Sequence, residues 1–181
     1  MSKFRMIVLL LISTYAGVYA QSKRVEVIKG ASSITYRLSH LLHTVEAVSK
    51  EFTCRLEIDP ANKEIQSVTA QVDVTTFDSG NSNRDSHAME VVDAMTYPYA
   101  SFISKSISQQ GDSITVTGQL TFHGVKKDVV MKGVTKWFPK IIDIDGEFAI
   151  SLTAFQIERP SLLMVPVSDE LVFTLKATFA F

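Results

Sequence analysis

The sequence has too few cysteines for covalent cross-linking within the chain, and it has no excess of basic residues. It contains a single cysteine, Cys54, so it can form no internal disulfide and no zinc site built from several cysteines. Cys54 alternates with the apolar residues Phe52 and Leu56, which predicts that its thiol is buried. The formal net charge is −1. A chain without a basic excess is not expected to bind nucleic acid through its charge.

Sequence signatures of catalysis and of metal binding are also missing. The patterns Gly-x-Ser-x-Gly, His-x-His and His-Glu-x-x-His do not occur. Glu57, Asp73 and Glu147, which would be candidates for a glycosidase pair, fall on the outward phase of their predicted strands. We therefore predict that the protein is not an enzyme and that it holds no metal or other cofactor.

A continuous apolar run occurs only near the start of the chain. Lys3 and Arg5 precede apolar residues 6–12, and residues 18–20 end in the small residue Ala20, which is the layout of a secretory signal peptide. The apolar run is too short for a membrane-spanning helix. We expect residues 1–20 to be removed after Ala20, and residues 21–181 to be periplasmic or secreted without an integral membrane segment.

Alternation of apolar and polar residues runs through most of the remaining chain. In residues 114–122, for example, Ile114, Val116 and Leu120 fall on one face, and threonines fall mainly on the other. The same pattern predicts eight strands, at residues 33–38, 52–58, 68–74, 100–107, 114–122, 127–134, 148–155 and 171–181. Turn-type residues at 59–62, 110–112 and 143–146 are expected to separate some of them. Residues 21–181 are predicted to form one mostly antiparallel domain.

A single segment has helical periodicity. Between residues 83 and 95 apolar residues recur mainly three or four positions apart, and Tyr97-Pro98 follows. We expect one short helix at this point. Its Met89, Val92 and Met95 would form either an adaptable lid over one end of the sheet or ordinary packing against it.

Eight alternating strands can form a sandwich or close into a barrel. Closure removes edge strands, which otherwise tend to pair with other chains. An eight-stranded barrel has room for packed side chains or for one small ligand. The eleven phenylalanines of the chain would make such a ligand apolar. Since a filled core and a ligand cavity produce the same alternation, the pattern leaves both open.

Three segments resemble the YceI-like, polyisoprenoid-binding family. Residues 31–40 (ASSITYRLSH) resemble its first-strand motif, residues 81–89 (NSNRDSHAM) with 97–104 (YPYASFIS) resemble its central signature, and residues 116–129 (VTGQLTFHGVKKDV) resemble its hairpin. The resemblance runs from about residue 25 to residue 181, which is nearly all of residues 21–181. It implies a lipocalin-like, eight-stranded antiparallel β-barrel with one short helix between strands. It also implies a lumen that holds a long isoprenoid or other amphiphilic chain, in a periplasmic or secreted protein.

Strand phase selects the side chains that would line this lumen. They are Tyr36, Phe52, Leu56, Val72, Phe102, Leu120, Phe122, Phe148, Ile150 and Phe173. The predicted function is the binding of an isoprenoid or other long-chain lipid, for carriage or sequestration. The alternative is a non-binding structural or interaction module whose barrel has a filled core. A homodimer is one possible assembly in either case.

The polar residues around the start of the helix resemble a catalytic cluster when they are taken alone. In context, one of residues 81–83 is expected to cap the helix, and Asp85 lies in its first turn, where the helix dipole favours an acid. Arg84 and His87 are expected to tie the helix to one end of the barrel, and His40 is expected to be either a structural residue or a residue at the mouth of the cavity. The predicted structural latch consists of His40, Asn83, Arg84, Asp85 and His87.

Overall fold

A computed structural model describes residues 22–162 and 164–181. Within these ranges the strands are β1 (Lys23–Glu26), β2 (Ser33–Ser39), β3 (Thr44–Ser49), β4 (Thr53–Asp59), β5 (Glu64–Asp73), β6 (Tyr99–Gln110), β7 (Ser113–Phe122), β8 (Val125–Trp137), β9 (Ile141–Ser151), β10 (Ser161–Leu162), β11 (Val165–Pro166) and β12 (Glu170–Ala180). The helix α1 (Ser82–Val91) lies between β5 and β6, and short 3-10 helices occur at Val74–Thr76 and Thr153–Phe155. The predicted signal peptide lies outside the described residues.

The longer strands form one antiparallel sheet in the order β1-β4-β5-β6-β7-β8-β9-β12-β2-β3. β1 and β2 are consecutive in the chain. The first part of this segment, β1, pairs with β4, and the second part, β2, pairs with β12. Between them, the Val27 N–H donates to the Cys54 carbonyl of β4 at 2.8 Å, and the Ile28 N–H donates to the Thr178 carbonyl of β12 at 2.8 Å. These bonds join the two sides of the sheet and close it into a barrel.

The sheet has ten strands where the sequence pattern predicts eight, because β1 and β3 lie outside the eight predicted strands. β1 is separated from β2 by residues 27–32, where Gly30 has a φ of 80°, and the predicted strand at residues 33–38 corresponds to β2 alone. β3 is separated from β4 by residues 50–52, and the predicted strand at residues 52–58 corresponds to β4 alone. β3 has no clear apolar alternation, because its inward positions include the small residues Ala47 and Ser49, both fully buried.

The predicted turn at residues 143–146 is wrong, because these residues lie inside β9. Ile142 and Ile144 point inward and are buried, so the alternation extends further toward the N-terminus than expected. Gly146 is also inward and pairs with Gly133 of β8. A Cβ atom at Gly146 would lie 2.9 Å from the Met131 sulfur. The glycine here therefore accommodates a close contact between strands and does not mark a turn.

The helix ends at Val91, four residues earlier than predicted. Asp93 adopts a φ of 46°, and its carbonyl accepts hydrogen bonds from the N–H groups of Thr96 and Tyr97, which forms a turn in place of a further helical turn. Met95 is 98% exposed. A lid that includes Met95 is therefore wrong, since its side chain points into solvent.

Buried apolar side chains form two clusters, one toward each end of the barrel. One cluster includes Val116 and Phe179 and lies toward the end where β4, β6, β8 and β12 finish. The other includes Phe122 and Ile157 and lies toward the end that carries α1. Cys54 belongs to the first cluster and is buried, as its alternation predicts.

Candidate functional site

The inward faces of the barrel strands enclose a cavity of about 600 Å³. Its lining includes residues of both apolar clusters, and these are mainly the inward-pointing side chains at every second position of the strands. A volume of this size is within the range of roughly 300–1,000 Å³ that is typical of small-molecule sites. The barrel is therefore hollow, and its interior is mostly hydrocarbon in character.

Each of the ten side chains that strand phase selects lies in the lining of this cavity. They are Tyr36, Phe52, Leu56, Val72, Phe102, Leu120, Phe122, Phe148, Ile150 and Phe173. Phe148 and Phe173 stack with ring centroids 4.9 Å apart and form one flat section of the wall. That these residues contact a ligand stays a prediction.

Several lining residues were not predicted from the sequence. Cys54 and Ile144 occupy the same inward phase as the predicted residues, so the alternation contained the signal for them. Leu152 continues the inward phase of Phe148 and Ile150 in the strand predicted at residues 148–155, although β9 ends at Ser151 and residues Thr153–Phe155 form a 3-10 helix. Phe77 and Ile157 lie outside the longer strands, in segments without a periodic pattern. For these two the sequence contains no local signal, because tertiary contacts alone turn them toward the cavity.

One end of the cavity is closed by buried apolar side chains. Ile58, Ile142 and Phe179 are fully buried where β4, β9 and β12 approach one another. Trp137 at the end of β8 packs against Phe181, with ring centroids 5.9 Å apart. Entry of a ligand is therefore expected at the opposite end of the barrel.

The opposite end is bordered by α1, by the turn between β2 and β3, and by the segment that carries β10. Most of the polar lining residues lie there, among them His40, His43, Arg84, Asp85 and His87. Arg84 and Asp85 are the only members of the described lining, other than histidines, that carry a charge at neutral pH. We call this end the mouth of the cavity. Its charges are of opposite sign and equal number.

Arg84 and Asp85 both bind Ser79, in the loop that precedes the helix. The Arg84 guanidinium donates to Ser79 Oγ at 2.8 Å and to the Ser79 carbonyl at 2.7 Å. The Asp85 carboxylate accepts from the Ser79 N–H at 3.2 Å and also from the Ser79 hydroxyl. Asp78, next to Ser79, pairs with Val48 of β3 through two backbone hydrogen bonds of 2.9 and 3.0 Å. The start of α1 is thereby connected to the barrel through residues 78–79.

The other residues of the predicted latch have different positions. Asn81 is the N-cap, since its side chain accepts from the Arg84 N–H at 3.1 Å; Asn83 is an exposed residue of the helix. His87 does not tie the helix to the barrel within the described structure. Its Nδ1 lies 3.6 Å from the Glu90 carboxylate on the same helix, and its side chain is mostly exposed at the mouth.

His40 lies at the mouth, as expected, and its ring connects two loops. Nε2 lies 3.1 Å from the Val165 carbonyl of β11, and Nδ1 accepts from the Leu42 N–H at 3.3 Å. This pair of contacts requires the neutral ring with its proton on Nε2. The ring of His43 is 5.6 Å away.

The apolar surroundings affect two ionisable groups of the lining. Burial raises the pKa of the Cys54 thiol to about 12. Burial also raises the pKa of the Tyr36 hydroxyl, and the nearby Asp85 carboxylate acts in the same direction, while Arg84 opposes it. In both cases the neutral form is favoured because a charge is poorly solvated in this cavity.

The described residues contain no group of three or more His, Cys, Asp or Glu side chains that would hold a metal ion. None of their helices is both long enough and apolar enough to cross a membrane.

Comparisons with known proteins agree on one family. A model of the YceI-like domain matches residues 26–179. Protein YceI of Escherichia coli is 28% identical over 146 residues, which cover 76% of this chain and 75% of that protein. Protein YceI of Salmonella newport is 27% identical over 133 residues, which cover 68% of this chain and 70% of that protein.

Two solved structures have the same barrel. BcnA of Burkholderia cenocepacia superposes with a TM-score of 0.76 at 25% identity, over 84% of this chain and 98% of that chain. A polyisoprenoid binding domain from Saccharophagus degradans, implicated in plant cell wall breakdown, has a TM-score of 0.65 at 11% identity, over 86% of this chain and 97% of that chain. The second likeness concerns the fold alone.

Proposed function

The chain belongs to the YceI-like family, and on that premise we propose that it binds a long-chain isoprenoid or similar amphiphile in its barrel. The observation that carries the proposal is the apolar cavity of about 600 Å³, closed at one end and polar at the other. The Saccharophagus degradans domain of the same fold is described as polyisoprenoid binding, which supports this ligand class. The role of the protein is to carry or sequester the lipid, and no chemical step is required of it.

The physical basis of binding is the transfer of hydrocarbon from water to the cavity. Each buried methylene contributes roughly 0.8 kcal/mol. A chain of a few prenyl units therefore binds tightly without any charged contact, even after the cost of association is subtracted. Because the closed end is apolar and the mouth is polar, the ligand enters with its tail first and leaves its head near α1.

The alternative, a structural or interaction module, requires a lumen filled by side chains. Phe148 and Phe173 would have to meet side chains from the opposite wall in such a core. They lie instead on the surface of the cavity. The hollow interior therefore favours ligand binding over the alternative.

We further propose that the protein acts outside the cytoplasm, in the periplasm or as a secreted protein, after removal of residues 1–20. The support is the order of basic, apolar and small residues in this segment. Expression of the full chain in a bacterial host, followed by fractionation and N-terminal sequencing, tests this point. A mature chain that starts at Gln21 is expected. Cytoplasmic protein that retains Met1 would contradict it.

Lipid binding is tested by purifying the exported protein, extracting it with organic solvent and identifying the extract by mass spectrometry. An isoprenoid or other long-chain lipid is expected in near-stoichiometric amount. The stripped protein should then bind the fluorescent probe N-phenylnaphthylamine and release it when an isoprenoid is added. Absence of both co-purified lipid and probe binding in the folded protein would overturn the proposed function.

A further inference from the structure

Tyr36 is held rigidly on the inner face of β2, near the mouth of the cavity. It pairs with Ala47 of β3 and with Phe173 of β12. Its ring packs against Phe77, with centroids 5.2 Å apart, and against Phe173, with centroids 6.5 Å apart. Ala47 is fully buried, which leaves room for the ring and fixes the direction in which it points.

None of the side-chain hydrogen bonds among the described residues involves the Tyr36 hydroxyl, and no buried side-chain polar atom of the described residues lacks a partner, so this hydroxyl is open to the cavity and not sealed from it. An accessible phenolic hydroxyl can donate a hydrogen bond to a bound molecule. A phenylalanine ring would make the same contacts with Phe77 and Phe173. The packing of the ring therefore makes no use of the hydroxyl, which is available to a group inside the cavity.

The position of this hydroxyl coincides with the boundary between the apolar and polar parts of the cavity. Arg84 and Asp85, at the start of α1, line the same cavity as Tyr36, and both affect the pKa of its hydroxyl. Further into the barrel the walls are formed by residues such as Val116, Ile144 and Phe179. A lipid inserted tail first would have its first polar group beside Tyr36.

The charge around the mouth indicates which polar group fits. Arg84 and Asp85 have opposite charges, and both are engaged with Ser79. Among the histidines, the contacts of His40 require a neutral ring. Among the described lining residues other than histidines, one positive and one negative charge therefore balance, which leaves no fixed positive charge in excess for a phosphate or carboxylate head.

From these observations we infer that Tyr36 is a specificity-determining residue, which donates a hydrogen bond to a neutral oxygen at the head of the bound chain. The ligand class is an isoprenoid whose head carries a carbonyl or hydroxyl oxygen and no charge. This inference rests on the proposed function, because it concerns a ligand in the same cavity.

The test uses three branched isoprenoid compounds with the same main chain: the ketone phytone, the hydrocarbon pristane and the carboxylic acid pristanic acid. Each displaces N-phenylnaphthylamine from the stripped protein, near neutral pH. The wild-type protein is expected to bind phytone more tightly than pristane and pristanic acid. In Tyr36→Phe the affinity for phytone should fall by roughly threefold to tenfold, the usual effect of one hydrogen bond. The affinity for pristane should stay within about twofold of the wild-type value.

Tyr99→Phe is the matched control, because Tyr99 is 53% exposed and lies outside the cavity lining. It removes the same hydroxyl oxygen and should leave all three affinities unchanged. Unfolding in urea checks that both variants are as stable as the wild-type protein. Tyr36→Phe preserves the ring, so loss of the fold is not expected.

The possible failures are distinguishable. If the three compounds bind but Tyr36→Phe has no effect on phytone, the role of Tyr36 is wrong and the proposed function stands. Tightest binding of pristanic acid would overturn the inference of a neutral head. If no compound displaces the probe from folded protein, both the proposed function and this inference fail.

Discussion

Phe148 of β9 and Phe173 of β12 face each other across the strand pair, with ring centroids 4.9 Å apart and planes inclined by only 11°. Both rings belong to the wall of the cavity. The stack therefore contributes to stability and also provides a flat apolar surface against which a ligand can lie.

Replacing Phe148 with alanine removes one ring of this stack. We expect the free energy of unfolding to fall by about 2–3 kcal/mol, less than for a fully buried phenylalanine, because Phe148 is half-buried. Urea denaturation measures the change. Phe138→Ala is the control, since Phe138 is 50% exposed and should change stability by less than about 0.5 kcal/mol. Equal losses in the two variants would contradict the role of the stack.

Ala70→Phe should reduce ligand capacity without unfolding the protein. Ala70 lies on the cavity wall, so the added ring takes up space that is empty in the wild-type barrel. We expect the affinity for N-phenylnaphthylamine to fall at least about tenfold, with a stability change smaller than the roughly 1–3 kcal/mol typical of overpacking a filled core.

Thr69→Phe is the control for this substitution. Thr69 precedes Ala70 on β5 and is exposed on the outer face, because successive strand residues point to opposite sides. The probe affinity of this variant should equal that of the wild-type protein. A barrel whose lumen is filled would respond to Ala70→Phe with a large loss of stability and no change in probe binding.

The Cys54 thiol should be nearly inert in the folded protein. Burial raises its pKa from an ordinary value of 9.0 to about 12. The reactive thiolate is then about a thousandfold less abundant near pH 8 than in the unfolded chain. Alkylation by iodoacetamide, followed by mass spectrometry, is expected to be slow in buffer and fast in urea. Rapid modification of the native protein would contradict the buried position.

The same pKa difference makes stability depend on pH. Above about pH 9 the unfolded chain releases the Cys54 proton while the folded chain retains it, so protonation linkage favours unfolding. The stability that the buried neutral thiol contributes to the folded state is fully present below the unfolded pKa of 9.0. It is lost at about 1.4 kcal/mol per pH unit between about pH 9 and about pH 12. In Cys54→Ala this part of the pH dependence should disappear. Identical slopes in the two proteins would contradict the linkage.

Asp85→Ala should loosen the start of α1. The substitution removes the hydrogen bonds from the N–H and hydroxyl of Ser79 and the favourable interaction with the helix dipole. We expect a loss of about 1–2 kcal/mol in the free energy of unfolding, as these are hydrogen bonds to a charged but partly exposed group. Glu90→Ala is the control, because Glu90 is exposed and its carboxylate pairs with His87 of its own helix; it should cost less than about 0.5 kcal/mol.

The cavity wall was predictable in large part from the sequence. Residues such as Leu120, Phe122 and Phe173 lie on strands whose side chains alternate between two faces, so strand phase alone assigns them to the interior. Ala47 and Ser49 of β3 are also inward, but a small residue and a polar residue do not produce the apolar alternation by which a strand is predicted. Phe77 is part of the wall without any strand phase, because its position depends on contact with Tyr36.

Local sequence patterns were less informative about the ends of elements and about polar contacts. Asp143 to Gly146 have the composition of a turn, yet the pairing of β9 with β8 and β12 keeps them extended. The convergence of Arg84 and Asp85 on Ser79 depends on the path of the loop between the 3-10 helix and α1. Such contacts arise when the chain folds back on itself, and no periodicity records them.

Alternation, composition and family motifs are thus enough to establish an antiparallel barrel with an apolar interior and a polar helix start, since these depend on which residues must avoid water. Whether that interior is hollow depends on the volume enclosed by the strands and on the volume of the side chains that fill it. The closure of the sheet at Val27 and Ile28 determines the volume that the strands enclose. The packing of rings such as Phe148 and Phe173 against the wall determines how much of that volume the side chains fill. A filled barrel and a hollow barrel have the same period of two, so the cavity becomes apparent only in three dimensions.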